Sequence, residues 1–187
     1  MTIPNYLTFI RIALIPVFIL AFYLPFNWAP WLSAAIFGFA ALTDWLDGYL
    51  ARILSQTSKF GAFLDPVADK LFVGIALVLI VGQEHGTYLA LPAAVIVGRE
   101  ILISGLREWM AELGKRTQVK VSLIAKIKTF SQMAAILLLL VYKPGHTAFL
   151  GILGGVCLYV AAMLTLWSMV LYIQAAWVDI TQFPEVP

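Results

Sequence analysis

The sequence predicts an all-α integral membrane protein in which six transmembrane helices surround a polar cavity that faces the cytoplasm. Its composition is the first reason, since 62% of the 187 residues are hydrophobic and 12% are charged, whereas a soluble domain carries about 25% charged residues. The second is that apolar residues fall in runs close to the roughly 20 residues that cross a bilayer. The third is that basic residues and four aspartates gather toward one end of these runs.

The predicted spans, in chain order, are Leu7–Leu24, Trp31–Leu54, Ser58–Val81, Tyr88–Leu113, Leu123–Tyr142 and Ala148–Trp177. No linker rich in proline, glycine or serine divides the chain, so residues 1–187 are expected to form one domain. Cys157 is the only cysteine, which excludes an intrachain disulfide. The net charge of +2 gives no indication of nucleic-acid binding.

Lysine and arginine are distributed unevenly between the two ends of the spans. One end holds most of them: Arg52, Lys59, Arg107, Lys115, Arg116, Lys120 and Lys126. The opposite end has Lys143 alone. Because basic connections stay in the cytoplasm, both termini and the connections after spans two and four are predicted to be cytoplasmic. Four basic residues are interpreted as topology determinants and as contacts for anionic lipids: Lys115, Arg116, Lys120 and Lys128.

Four aspartates lie toward the cytoplasmic ends of spans two and three: Asp44, Asp47, Asp65 and Asp69. Spacings of three and four residues place each pair on one face of a helix. An aspartate at the centre of a transmembrane helix costs about 2.5–3.5 kcal/mol, so these four are expected near the membrane surface, in a wet cavity, or bound to cations. Oxygen-only ligands favour hard cations such as Mg²⁺, Mn²⁺ or Ca²⁺. His85 and His146 fall at the opposite end, which argues against zinc.

Small residues accompany the aspartates and would let a bulky ligand approach the backbone. The full pattern is Asp44-x2-Asp47-Gly48-x2-Ala51-Arg52-x8-Gly61-x3-Asp65-x3-Asp69. At every fixed position it resembles the signature of the CDP-alcohol phosphatidyltransferase family. The resemblance spans nearly the whole chain and includes the segments Ile3–Arg11, Arg99–Arg116 and Lys126–Thr129.

The resemblance implies an enzyme that transfers the phosphatidyl group of CDP-diacylglycerol to an alcohol. Outside the signature the chain is similar to bacterial members that use sn-glycerol 3-phosphate and release phosphatidylglycerophosphate and CMP. The family implies a homodimer among the lipids of the bacterial inner membrane, with its active site facing the cytoplasm. It implies two ions, Mg²⁺ or Mn²⁺, with these ligands: Asp44, Asp47, Asp65 and Asp69. Asp69 is then a ligand, the general base for the glycerol hydroxyl, or both. The implied CDP-diacylglycerol contacts are Asn5, Thr8, Gly48, Ala51, Arg52 and Gly61.

The acceptor carries a phosphate dianion and needs cations. Arg99 lies deep in span four, Arg107 lies eight residues later, and Lys126 opens span five. An intramembrane charge is by default a hypothesis of function, and arginine suits bidentate contact with phosphate. We therefore predict these three as the acceptor site. Ion pairs with Glu100 or Glu108 remain alternatives for the two arginines. A transporter of divalent cations or one coupled to protons remains an alternative for the chain, although the inverted repeats common in transporters are not evident. A lipid-binding scaffold without chemistry is a further alternative, which would leave the metal site without a use.

Overall fold

The computed structural model describes the backbone of residues 3–54, 59–83, 87–112, 122–143 and 145–181. Side chains are described in the same ranges except at residues 3–7, 45–54, 59–63, 65, 112, 122–125 and 178–181. The described residues form these α-helices: α1 Ile3–Phe22, α2 Ala29–Leu54, α3 Lys59–Val81, α4 Ala90–Glu112, α5 Ser122–Val141 and α6 Ala148–Thr181. A 3₁₀ turn, Thr87–Leu89, precedes α4, and no strand occurs in the described ranges. Each predicted span coincides with one helix to within about a turn, so the all-α prediction is confirmed.

Apolar surface covers much of the helix bundle. Within the described residues two helices are long and apolar enough to cross a bilayer, Thr87–Ala111 and Ala148–Trp177. Large apolar side chains also point outward on other helices: Leu20 is 70% exposed and Phe130 is 77% exposed. Soluble monomers rarely expose contiguous apolar surface on this scale. The fold is therefore consistent with a membrane protein.

The core contains three phenylalanine rings from α1, α2 and α3. The Phe18 and Phe72 ring centroids lie 5.2 Å apart, and Phe37 lies 6.3 Å from the first and 5.6 Å from the second. Tilted pairs at this separation are favourable beyond the area that they bury. Each ring lies one or two helical turns from a charged residue of the candidate site, so the rings pack as an apolar layer beside it.

Helices α5 and α6 approach each other closely because glycines face the contact. A Cβ atom at Gly154 would lie 2.8 Å from Cγ of Leu139, and one at Gly151 would lie 2.7 Å from the Tyr142 ring. The turn between the helices uses Gly145 at a φ of 81°, where glycine pays no Cβ penalty. Since α6 also packs against α4, the basic residues of α4 and α5 are brought together beside α6.

The end of the bundle opposite the aspartates is joined by polar contacts. Lys143 Nζ donates to the backbone oxygen and to Oδ1 of Asn27, both at 3.2 Å. This contact joins the α5–α6 turn to the α1–α2 turn. The hydroxyl of Tyr159 donates to the backbone oxygen of Tyr88 at 2.7 Å, which ties α6 to the start of α4. These turns therefore lie at one end, and His146 lies among them.

Candidate active site

Arg11 contacts two aspartates, Asp44 on α2 and Asp69 on α3, at the end of the bundle named here the aspartate end. Its Nη1 atom lies 3.0 Å from Oδ1 of Asp44 and donates a hydrogen bond of 3.2 Å to Oδ1 of Asp69. The Arg11 side chain is 1% exposed, whereas the two aspartates are 40% and 44% exposed. One buried guanidinium on α1 therefore joins α2 to α3 and partly neutralises two carboxylates that remain open from outside.

The surroundings of Arg11 explain why a charge can be buried there. An unpaired buried charge is very costly, and a buried charge needs partners that hydrogen-bond to it. Two carboxylates from neighbouring helices meet that need. A small cavity lined by Arg11, Asp69 and core residues such as Phe37 and Met133 lies beneath them. Thr8, a predicted donor contact, lies one turn before Arg11 on the same helix and is 1% exposed.

Several predicted signature residues lie outside the described side chains: Asn5, Asp47, Gly48, Ala51, Arg52, Gly61 and Asp65. The structure describes their backbone as helical. Asp47 follows Asp44 by three residues on α2, and Asp65 precedes Asp69 by four residues on α3. At those spacings the two members of each pair share a helix face. The basic residues at 115, 116 and 120 lie outside the described ranges altogether.

The described carboxylates fit a divalent cation site in their chemistry. Asp44 and Asp69 offer hard oxygen ligands of the kind that Mg²⁺ and Mn²⁺ prefer. Both carboxylates are within reach of one guanidinium nitrogen, and both are more than one third exposed. The described side chains contain no group of three or more potential metal ligands. The other two predicted ligands, Asp47 and Asp65, belong to the side chains that are not described.

A second polar group lies where α4 meets α6. Arg99 Nη2 donates to Oγ of Ser168 at 3.3 Å, and that hydroxyl donates to the backbone oxygen of Thr165 at 2.9 Å. Arg99 Nε is buried without a hydrogen-bond partner. Arg99 forms no ion pair with a described residue, so the alternative of a pair with Glu100 is not what the structure shows. The hydrogen bond that the Arg99 side chain makes among the described residues is to a neutral hydroxyl, and its charged neighbours are Glu100 and Arg107.

Arg107 lies beside this group, two turns further along α4. Its Cζ atom lies 5.2 Å from the ring centroid of Tyr172 on α6. Tyr172 is buried, whereas Arg107 is exposed. A cation–π contact of this kind orients the guanidinium plane. Its edge can still donate hydrogen bonds, which is the geometry that phosphate recognition uses.

The prediction that Lys128 lies at the surface among lipid head groups is wrong, because its side chain is buried, with 8% exposed. Its charged neighbours are Arg99, Glu100 and Arg107.

Lys126, which was predicted for the acceptor site, is exposed. Residues two apart on a helix point in nearly opposite directions, since each residue turns the helix by about 100°. Only one of the two lysines can therefore face the bundle, and the sequence does not reveal which. Arg99, Arg107 and Lys128 together form a basic cluster where α4 and α5 meet α6.

Arg11 is the site residue that the sequence analysis missed. It was noted only as the last residue of an N-terminal segment that resembles the family. The available signal was an arginine inside an otherwise apolar span, which requires an acidic or polar partner. The four aspartates of spans two and three need positive charge beside them, so they were the natural partners to consider for this arginine.

Comparison with known proteins identifies the class to which this fold and site belong. Residues 1–174 match the family model described as CDP-alcohol phosphatidyltransferase. The chain therefore belongs to the CDP-alcohol phosphatidyltransferase family.

Its curated relatives include proteins named CDP-diacylglycerol–glycerol-3-phosphate 3-phosphatidyltransferase. The protein of that name from Yersinia pestis is 54% identical over 182 residues, which cover 97% of this chain and 98% of the relative. The one from Pectobacterium atrosepticum is 57% identical over 180 residues, covering 96% and 97%. The one from Pseudomonas fluorescens is 58% identical over 179 residues, covering 95% and 91%.

Proposed function

We propose that this protein is an enzyme that transfers the phosphatidyl group of CDP-diacylglycerol to sn-glycerol 3-phosphate, giving phosphatidylglycerophosphate and CMP. The observation that carries the proposal is the 54–58% identity, over nearly the full chain, to enzymes named for this reaction. The glycerol hydroxyl oxygen forms a bond to the phosphorus that carries the diacylglycerol. The bond from that phosphorus to the oxygen of CMP breaks, and the hydroxyl proton passes to a base.

The aspartate end supplies the charge chemistry. Asp44, Asp47, Asp65 and Asp69 hold two divalent ions, Mg²⁺ or Mn²⁺, which when bound neutralise the pyrophosphate and the leaving CMP. Asp69 also accepts the proton of the attacking hydroxyl. The contact with Arg11 orients the Asp69 carboxylate and leaves it 44% exposed, so it is accessible to the acceptor. The residues that border the CDP group are proposed to be Asn5, Thr8, Gly48, Ala51, Arg52 and Gly61.

The basic cluster binds the phosphate of the acceptor. Arg99 and Lys128 are turned into the bundle and lack an ion-pair partner among the described residues. Arg107 presents an oriented guanidinium beside them. A dianion bound there offsets the mutual repulsion of three cations at low dielectric. Lys126 is exposed and stands at the rim, where it draws the dianion inward.

We place the enzyme in the bacterial inner membrane as a homodimer. All six helices cross the bilayer around a cavity that opens to the cytoplasm. The outward apolar side chains and the gathering of basic residues at the aspartate end support this arrangement. The acyl chains of the donor stay in the bilayer while its head group enters the polar site. The water-soluble acceptor and CMP exchange with the cytoplasm.

An acceptor panel tests the proposal. Purified protein in detergent receives CDP-diacylglycerol and Mg²⁺ with one alcohol at a time: glycerol 3-phosphate, serine, inositol phosphate or phosphatidylglycerol. Release of CMP is measured, and the molecular mass of the lipid product is determined by mass spectrometry. We expect CMP only with glycerol 3-phosphate, together with the mass of phosphatidylglycerophosphate. Faster CMP release with another alcohol would assign this chain to a different branch of the family.

A further inference from the structure

Lys70 follows Asp69 in the chain but reaches a different helix. Its Nζ atom donates to the hydroxyl of Ser104 on α4. That hydroxyl in turn donates to the backbone oxygen of Glu100 at 2.5 Å. Lys70 and Ser104 are both partly buried. Lys70 makes no ion pair with any residue whose side chain is described. The ammonium group of Lys70 therefore donates to a neutral hydroxyl, and that hydroxyl is hydrogen-bonded to the α4 backbone.

The two ends of this contact belong to the two halves of the site. On α3, Lys70 is next to Asp69, which is held by Arg11. On α4, Ser104 lies one turn before Arg107, and Glu100 is next to Arg99. The hydrogen bond therefore joins the helix that carries the proposed base to the helix that carries two members of the basic cluster. A shift of α4 along α3 would alter the distance between the base and the bound acceptor.

We propose that Lys70 is a positioning residue that fixes α4 against α3 through Ser104 and so sets the alignment of the acceptor hydroxyl with Asp69. The inference rests on the function proposed above for the same site. Lys70 is proposed to act through Ser104 and not by contact with the reacting atoms. Its effect is large because the reacting atoms must be aligned closely, and a misplacement of about 1 Å can cost on the order of 10²-fold in rate. Hydrogen bonds from charged donors are among the stronger ones in proteins.

A double-mutant cycle tests the contact. Lys70→Met, Ser104→Ala and the double variant are compared for kcat, for KM of each substrate, and for thermal unfolding in detergent. We expect each single change to lower kcat/KM for glycerol 3-phosphate by about 10- to 150-fold, the range for a lost hydrogen bond to a charged group. KM for CDP-diacylglycerol should change much less. The double variant should be no worse than Lys70→Met, because both changes remove one interaction. Ser104→Thr, which keeps the hydroxyl, should restore activity.

The matched control is Ser131→Ala. It removes another interhelical serine bond, from Ser131 Oγ to the backbone oxygen of Cys157 at 3.0 Å, between α5 and α6. The Ser131→Ala change should leave kcat and the KM of each substrate nearly unchanged. Additive losses, or a Ser104→Ala variant with wild-type kinetics, would overturn the proposal, because Lys70 would then act independently of Ser104. If the wild type did not use glycerol 3-phosphate, the proposed function would fail instead. The coupling in thermal unfolding would then still test the contact, and its absence would overturn it.

Discussion

The guanidinium of Arg11 lies 3.0 Å from the carboxylate of Asp44 on the neighbouring helix. The same nitrogen atom also reaches Asp69 on a third helix. The cation that balances these acids therefore comes from α1, the only one of the three helices without an aspartate. This contact holds α2 and α3 at a fixed separation with their carboxylates open to ligands.

Arg11→Met should lower kcat by at least about tenfold, because a hydrogen bond to a charged group contributes about 1.5–3 kcal/mol. Without the guanidinium the two carboxylates repel each other and lose their common anchor. CMP release at saturating substrates is the measurement, with circular dichroism to check the fold.

Lys143→Met is the matched control for Arg11→Met. It also removes a cation with two hydrogen bonds, here to Asn27 at the opposite end of the bundle. It should retain activity within about twofold, since exposed polar contacts contribute little. Equal losses in the two variants would mean that Arg11 acts only through general stability.

The helices were predictable because apolar runs of spanning length leave few alternatives. The aspartate pairs were predictable because helical spacing places each pair on one face. Arg11 was not, since pairing across three helices depends on how the helices pack and not on spacing within one of them. The burial of Lys128 was not predictable for a similar reason: the sequence gives the angle between the side chains of Lys126 and Lys128, but not the rotation of α5 in the bundle.

Lys128 and Lys126 form a natural pair for testing the acceptor site. Lys128→Met should raise KM for glycerol 3-phosphate by about 10- to 150-fold, as expected for a lost charged hydrogen bond. Lys126→Met should raise it far less, because its side chain is exposed and its charge is screened by salt. KM for CDP-diacylglycerol should be nearly constant in both. A larger effect at Lys126 would place the acceptor phosphate at the rim, outside the basic cluster.

Ser168→Ala should weaken acceptor binding through Arg99. The serine hydroxyl accepts the only hydrogen bond that the Arg99 side chain donates among the described residues, so its loss lets the guanidinium change orientation. A neutral hydrogen bond contributes about 0.5–1.5 kcal/mol, so KM for glycerol 3-phosphate should rise by about 2- to 12-fold.

Ser33→Ala is the control for Ser168→Ala. Ser33 is also buried and donates to the backbone oxygen of Ala29 at 2.9 Å, and it makes no hydrogen bond to an arginine among the described residues. Its variant should keep the wild-type KM. If both serine variants changed KM alike, the effect at Ser168 would reflect helix packing and not the orientation of Arg99.

Orientation in the membrane can be measured by thiol labelling after Cys157 is replaced by alanine. A cysteine at Gln118 should react with an impermeant reagent only in inverted vesicles, because the basic connection after span four is predicted to be cytoplasmic. A cysteine at Gly86 should react from outside in intact cells. The reverse pattern would place the aspartates on the outer side and contradict a site supplied with substrates from the cytoplasm.

The central claim is that the aspartate end transfers a phosphatidyl group to glycerol 3-phosphate. The most direct measurement follows radiolabelled glycerol 3-phosphate into organic-soluble lipid, using purified wild type and Asp44→Asn with CDP-diacylglycerol and Mg²⁺. We expect the wild type to incorporate label in an amount equal to the CMP released, and chelation by EDTA or the Asp44→Asn change to abolish incorporation while the protein stays folded. Label that remained in the aqueous phase with wild type, or full incorporation by Asp44→Asn, would rule out this reaction at the aspartate end.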